Sequence, residues 1–174
     1  AFMKKLLIIS GLLFGLAINI FAQKIRTVTI VTQPEATIWL NDIKRGITNL
    51  NGALTIKYVT SGTKKVRVRA FGFKETTQNL LPTQSQLKIS LAKTTDQAEL
   101  TFQEAEKMMK VDRPKAIELY QKAASLRPKY YEAYIEMARA MSDAGDSDGA
   151  LEAIANARKA RPAFPEISAV EGRV

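Results

Sequence analysis

The feature that most restricts this chain is a self-match at a spacing of 34 residues. Shifted by that amount, Asp112 falls on Asp146, Ala116 on Ala150, Ile117 on Leu151 and Glu118 on Glu152. Ala123 then falls on Ala157, and Arg127-Pro128 on Arg161-Pro162. Self-similarity at a fixed period is the signature of stacked supersecondary units, each burying its apolar side against the next.

Within each unit the apolar period is helical. Ala116, Tyr120 and Ala123 stand at i, i+4 and i+7 and share one helix face, and Ala150, Ile154 and Ala157 repeat that face. Alanines let two helix backbones approach, and Tyr120 or Ile154 fills the neighbouring hole. Pro128 and Pro162 lie just past these helices, where a fixed φ and a missing N–H stop one helix and can begin the next.

Small residues at fixed offsets with a closing proline resemble the tetratricopeptide repeat, a helix-turn-helix unit stacked into a solenoid. The likeness is closest over residues 111–162. Residues 97–128 read as a degenerate first repeat, 131–162 as a regular second, and 165 onward as the opening of a third. In the first, Asp96-x-x-Glu99 predicts a capping box, and Ala98, Phe102, Ala105 and Met109 form an amphipathic stripe. Ala105 aligns with Ala138 and Met108 with Met141 at an offset of 33, so the first turn is expected to be one residue shorter. In the second repeat, Tyr134, Met137, Ala138 and Met141 supply the packing face and Gly145-Asp146 the turn. Phe164 then follows Tyr130, and Glu166 follows Glu132. Because such stacks generally need three or more repeats, either the polypeptide continues past Val174, or the last helix is a cap, or another chain covers it.

The resemblance implies a concave groove lined by the first helix of each repeat. On that pattern Glu132, Ile135, Glu136, Arg139 and Asp143 face it, and an extended or helical peptide of a protein partner could lie there. The basic-plus-asparagine clamp that some relatives use for peptide C-termini is not present, so the partner's identity is open.

From Lys24 to Leu91 the period changes to two. Val28, Ile30 and Thr32 alternate with Thr27, Thr29 and Val31; Leu54, Ile56 and Tyr58 alternate with Thr55, Lys57 and Val59. Val66, Val68 and Ala70 alternate with Lys65, Arg67 and Arg69, and Leu87, Ile89 and Leu91 with Lys88 and Ser90. Turn signals fall at Asn41-Asp42, Asn51-Gly52, Ser61-Gly62, Gly72 and Pro82. This predicts a small antiparallel β-sandwich. The run TVTIVTQPEATIWLNDIKRGI, Thr27 to Ile47, resembles the start of a PEGA domain. Pro34, Glu35 and Ala36 match the family's first turn without its glycine, so that turn must be tighter or differently built. Ser61-Gly62-Thr63 and Phe71-Gly72-Phe73-Lys74 resemble two of its later corners. The resemblance implies a spacer or binding module on an exported bacterial or archaeal protein, with no common catalytic activity.

The expected organisation is therefore α+β with two domains, a PEGA-like sandwich over residues 23–93 and tetratricopeptide-type hairpins over 94–174. Charge agrees with that division. Residues 23–93 hold 12 basic and 3 acidic side chains, whereas 94–174 hold 12 basic and 14 acidic. Ahead of them, Lys4-Lys5, the apolar run Leu6 to Ile18 and Ile20-Phe21-Ala22 read as a secretory signal over residues 1–22, with an uncleaved anchor as the alternative. That places the protein in the periplasm or at the surface of a bacterium.

Residue types bound the chemistry. The chain has no cysteine and no histidine, which removes disulfides, thiol chemistry and the usual Cys/His zinc site. Ser61-Gly62-Thr63-Lys64 has Ser-x-x-Lys spacing but falls in a predicted turn instead of at a helix start. Asp143, Asp146 and Asp148 lack the bidentate glutamate of a calcium loop. No catalytic group, metal site or cofactor is expected.

Lys65, Arg67 and Arg69 share one strand face and could meet an anionic surface or envelope polymer, or could be a solvated face that discourages aggregation. Three basic residues at about 1 kcal/mol each give a binding constant weaker than about 1 mM, enough only to tune another contact. Two readings follow: a non-enzymatic exported adaptor that binds a protein through its helical groove, or an envelope-polymer binder acting through the basic β face. Nucleic acid is not an expected partner.

Overall fold

The computed structural model describes residues 25–174, so the signal expected at residues 1–22 lies outside the described residues. Strands come first: β1 (Ile25–Val31), β2 (Thr37–Leu40), β3 (Ile43–Ile47), β4 (Ala53–Thr60), β5 (Lys64–Arg69), β6 (Thr76–Leu80) and β7 (Gln86–Lys88). Helices follow: α1 (Gln97–Met108), α2 (Arg113–Leu126), α3 (Tyr131–Asp143), α4 (Ser147–Ala160) and α5 (Pro165–Glu171). The layout is α+β, a two-sheet sandwich followed by stacked antiparallel helical hairpins.

The strands form sheets of order β4-β1-β7 and β3-β2-β5-β6. Val28, Ile30, Ile38, Val66, Val68 and Leu80 are fully buried between them, each burial stabilising by roughly 1.5–3 kcal/mol. Two details depart from simple alternation. β7 pairs with β1 in parallel, so the sandwich is not wholly antiparallel. In β4, Lys57 and Tyr58 together oppose a single residue of β1, a bulge at which Tyr58 takes φ 59° and turns out to solvent. Val59 goes into the core in its place.

The corner between β1 and β2 is held by Glu35 at φ 56° and by the buried Thr48. The Thr48 hydroxyl accepts from Ala36 N and donates to the Gln33 carbonyl. Asn41 and Asp42 both adopt positive φ, the type I′ requirement for the two-residue loop between β2 and β3.

In the helical part the recurring residues occupy recurring jobs. Asp112 and Asp146 cap α2 and α4, accepting from Lys115 N and Gly149 N. The Arg127 guanidinium stacks over Tyr130, and Arg161 over Phe164, one repeat later. Ala116, Ala123, Ala150 and Ala157 are fully buried at the helix contacts. Gly145 at φ 85° ends α3, with Asp146 N donating to the Met141 carbonyl. The residue missing from the first repeat is taken from the helix and not from the turn: α1 stops at Met108, whereas α3 runs to Asp143.

The capping box at α1 forms only by half. Asp96 accepts from Ala98 N and Glu99 N as expected, but the Glu99 carboxylate accepts from Glu75 N and the Thr94 hydroxyl instead of from Asp96. Glu99 belongs to a polar stripe with Gln103 and Glu106 that faces the sandwich. The Gln103 amide accepts from Gly72 N at 2.7 Å and donates to the Phe73 carbonyl at 2.9 Å. Both Glu99 and Gln103 are buried, so α1 is clamped onto the segment that leads into β6.

Candidate functional site

Because Val66 and Val68 point into the sandwich, Arg67 and Arg69 must leave β5 on the opposite face. Trp39 of β2 lies directly across from Arg67 in the ladder and shares that face. This outer face looks toward the inward sides of α1, α3 and α5, and between them lies a cleft of about 960 Å³. Trp39, Arg67 and Arg69 form one wall; Glu106, Glu132, Ile135, Glu136, Arg139 and Glu166 form the other.

At the base of the cleft the walls are joined by ion pairs. Arg69 donates through Nη1 to Glu106 Oε1 and through Nη2 to Glu132 Oε2, each at 3.0 Å, and also faces Glu75. Arg67 donates to Glu132 Oε1 and lies 3.5 Å from Glu75. The Arg67 guanidinium stacks 4.3 Å above Trp39, and that of Arg69 lies 4.6 Å from the Phe102 ring. Burial opposes the Arg69 charge, but Glu106, Glu132 and Glu75 outweigh it and hold the guanidinium well above its ordinary value. Burial pushes the Glu106 carboxyl up against the pull of Arg69.

Further along the helical wall Arg139 donates to Glu136 and to Glu166, both at 2.6 Å. The Glu136 carboxyl is pushed up by burial, opposed by Arg139 and reinforced by Glu106 and Glu166. Among the described residues no carboxylate cluster is arranged to hold a metal ion. Arg67, Arg69 and Arg139 are each shared among two or more carboxylates of the cleft, an arrangement suited to recognition by hydrogen bonds and stacking.

The residues expected in the groove divide accordingly. Glu132, Ile135, Glu136 and Arg139 line the cleft, with Ile135 buried at its base and the other three supplying polar groups. Asp143 does not line it; it is exposed at the end of α3, where its carbonyl accepts from Arg113. The basic stripe is corrected more fully. Lys65 is exposed, but Arg67 is partly buried and Arg69 is only 6% exposed, and both are neutralised by helix carboxylates. The three therefore do not form a solvent-facing cationic surface, because α1 and α3 cover the face that strand alternation leaves open. Trp39, Glu75, Phe102, Gln103, Glu106 and Glu166 were not expected at a site from the sequence. For Glu99, Gln103 and Glu106 a signal existed: spacing i, i+4, i+7 beside the apolar stripe of α1.

Comparison with known proteins bears on the helical part. Residues 112–174 match the tetratricopeptide repeat. Tetratricopeptide repeats are in general protein-binding modules and not catalytic ones, and the matched residues supply Glu132, Ile135, Glu136, Arg139 and Glu166 of the cleft. Among solved structures, one titled "Crystal structure of MamA" is similar at 25% identity with a TM-score of 0.42, over 45% of this chain and 47% of that chain. The chain thus spans about half the length of that protein. No curated protein matches the chain.

Proposed function

We propose that this chain is a non-enzymatic, exported scaffold that holds an extended segment of a protein partner in the cleft between the outer face of β2–β5 and the inward faces of α1, α3 and α5. The observation that carries this reading is the composite cleft itself. A tetratricopeptide concave face normally stands open on one side, and here a β-sheet bearing Trp39 stands opposite it. A partner segment must therefore be thin, and it meets aromatic and paired charged groups on both sides. Export rests on the charged and apolar pattern of residues 3–22, and the likeness of the sandwich to PEGA domains supports an envelope setting.

The anionic-surface alternative loses two of its three residues to internal ion pairs, leaving Lys65. Site-specific photocrosslinking tests the scaffold reading. A benzophenone amino acid at Lys44 or Phe71, both at the cleft, should join the chain to one discrete protein, whereas the same group at the exposed Leu151 should not. Equal products at all three positions, or none at Lys44 and Phe71, would remove the cleft from the account.

A further inference from the structure

In the second repeat, Arg139 bridges two inward helices, donating to Glu136 of α3 and Glu166 of α5. One repeat earlier the arginine is missing. Glu106 aligns with Arg139 at the offset of 33, and Glu132 aligns with Glu166 at 34, so α1 and α3 confront each other with two carboxylates. The guanidinium that bridges them comes from β5: Arg69 spans Glu106 and Glu132 as Arg139 spans Glu136 and Glu166. Among the described residues, the ion pairs of Glu106 and Glu132 are with Arg67 and Arg69 alone.

The internal fit is incomplete. The Nε atoms of Arg67 and Arg69 are buried without an acceptor, a cost that a better-shaped occupant would avoid. Nor does β5 hold the helices through its main chain. Its hydrogen bonds to them are made by the Arg67 and Arg69 side chains, while the Gln103 and Glu99 clamp holds a different segment, Gly72 to Glu75. Side chains can exchange there while the two parts stay tethered.

Resting on the groove reading above, we propose that Glu106, Glu132 and the Phe102 ring form a guanidinium-binding slot, that β5 fills it as a built-in ligand, and that a partner enters by presenting an arginine on an extended segment in place of Arg69. The slot selects arginine over lysine. A planar fork reaches two carboxylates on different helices while stacking on an aromatic ring, and a compact ammonium cannot do both.

The test uses a fluorescein-labelled peptide with the sequence of residues 64–70, KKVRVRA, and an analogue with lysine at both arginine positions. Each is titrated at about 0.15 M salt, near physiological ionic strength, into the intact chain and into an Arg67→Ala/Arg69→Ala variant. The variant should bind the arginine peptide at least about tenfold more tightly than the intact chain does, and the lysine peptide at least about tenfold more weakly than the arginine one. Adding Glu132→Gln to the variant should abolish binding. No gain over the intact chain, or equal binding of the two peptides, overturns the proposal. If circular dichroism shows the variant unfolded, the intact chain decides: excess arginine peptide should change the Trp39 fluorescence and the lysine peptide should not, and two equal responses overturn the proposal. Binding that is the same with and without Arg69 but is lost in Arg139→Ala would overturn self-occupation and leave the groove reading standing. Failure of all peptide binding together with failure of cleft crosslinking removes both.

Discussion

The Arg69 guanidinium lies 3.0 Å from the Glu132 carboxylate across 63 positions of sequence, and Glu106 closes on its other side at the same distance. Three segments that have no local reason to meet are thereby joined at one nearly dry point. Removing one partner from a buried pair strands the others, which is why the contact is more consequential than an ion pair on the surface.

Arg69→Met should therefore lower stability by about 3–5 kcal/mol, the usual effect of leaving a buried charge uncompensated. Combining it with Glu106→Gln and Glu132→Gln should restore part of the loss. Trp39 is the single tryptophan and lies in the cleft, so its fluorescence in urea titrations reads the change directly. An unchanged midpoint for the single variant would show that the pair contributes nothing.

Glu136 gives a pH dependence whose sign is fixed. Burial raises its folded carboxyl above the ordinary 4.5, with Arg139 opposing and Glu106 and Glu166 adding to the rise. The folded chain therefore holds this proton to a higher pH than the unfolded chain does. Its contribution is most favourable at acid pH and declines as pH rises from 4.5 through the raised value. Glu136→Gln should abolish that decline, so intact stability falls relative to the variant across the window. Urea midpoints from pH 4 to 8 check it; parallel curves would refute it.

Among the described residues, Gly52 is the glycine with the least room. It sits at φ 72°, and a Cβ there would lie 2.1 Å from the Thr32 carbonyl oxygen. Gly52 also accepts a hydrogen bond from Thr32 N, so neither backbone can move away freely. Gly52→Ala should cost at least about 2 kcal/mol from strain and overlap together. Thermal melts of the sandwich signal measure it, with Gly62→Ala as a control that has strain but open space.

Ala123 is fully buried where helices meet. Ala123→Leu forces extra methylene volume into that contact and should destabilise by about 1–3 kcal/mol. Leu151→Ala on the exposed side should stay within about 0.5 kcal/mol. Helical ellipticity at 222 nm during melting separates the two; equal losses would mean that the alanine face is not the packing face.

The helical repeat was legible because the residues that recur do local work: Asp112 and Asp146 cap helices, and Arg127 and Arg161 stack on the ring three positions on. Spacing alone reports such contacts. The strands were legible as far as alternation holds, and it fails at Tyr58, where two adjacent apolar residues compete for one inward place and a bulge awards it to Val59. The cleft was half legible. The resemblance to the tetratricopeptide repeat implied an inward helical face bearing Glu132, Glu136 and Arg139, and strand periodicity placed Arg67 and Arg69 on an outward one. Neither period records that the two faces meet, since docking of one layer on another leaves no mark in either. Glu99 shows the difficulty: its local signature is a capping box, and only the arrival of Glu75 N diverts it.

The parallel pairing of β1 with β7 makes the first strand wait for the last. A ribosome delivering this chain from its amino end must release residue 88 before the sandwich can close, and long-range pairing of this kind is slow compared with helix formation. The helices are made later yet can form sooner. Once α1 and α3 have stacked, Glu106 and Glu132 would then spend an interval facing water and each other. Assembly order, and not only final geometry, gives such a chain a moment when its acidic face is uncovered.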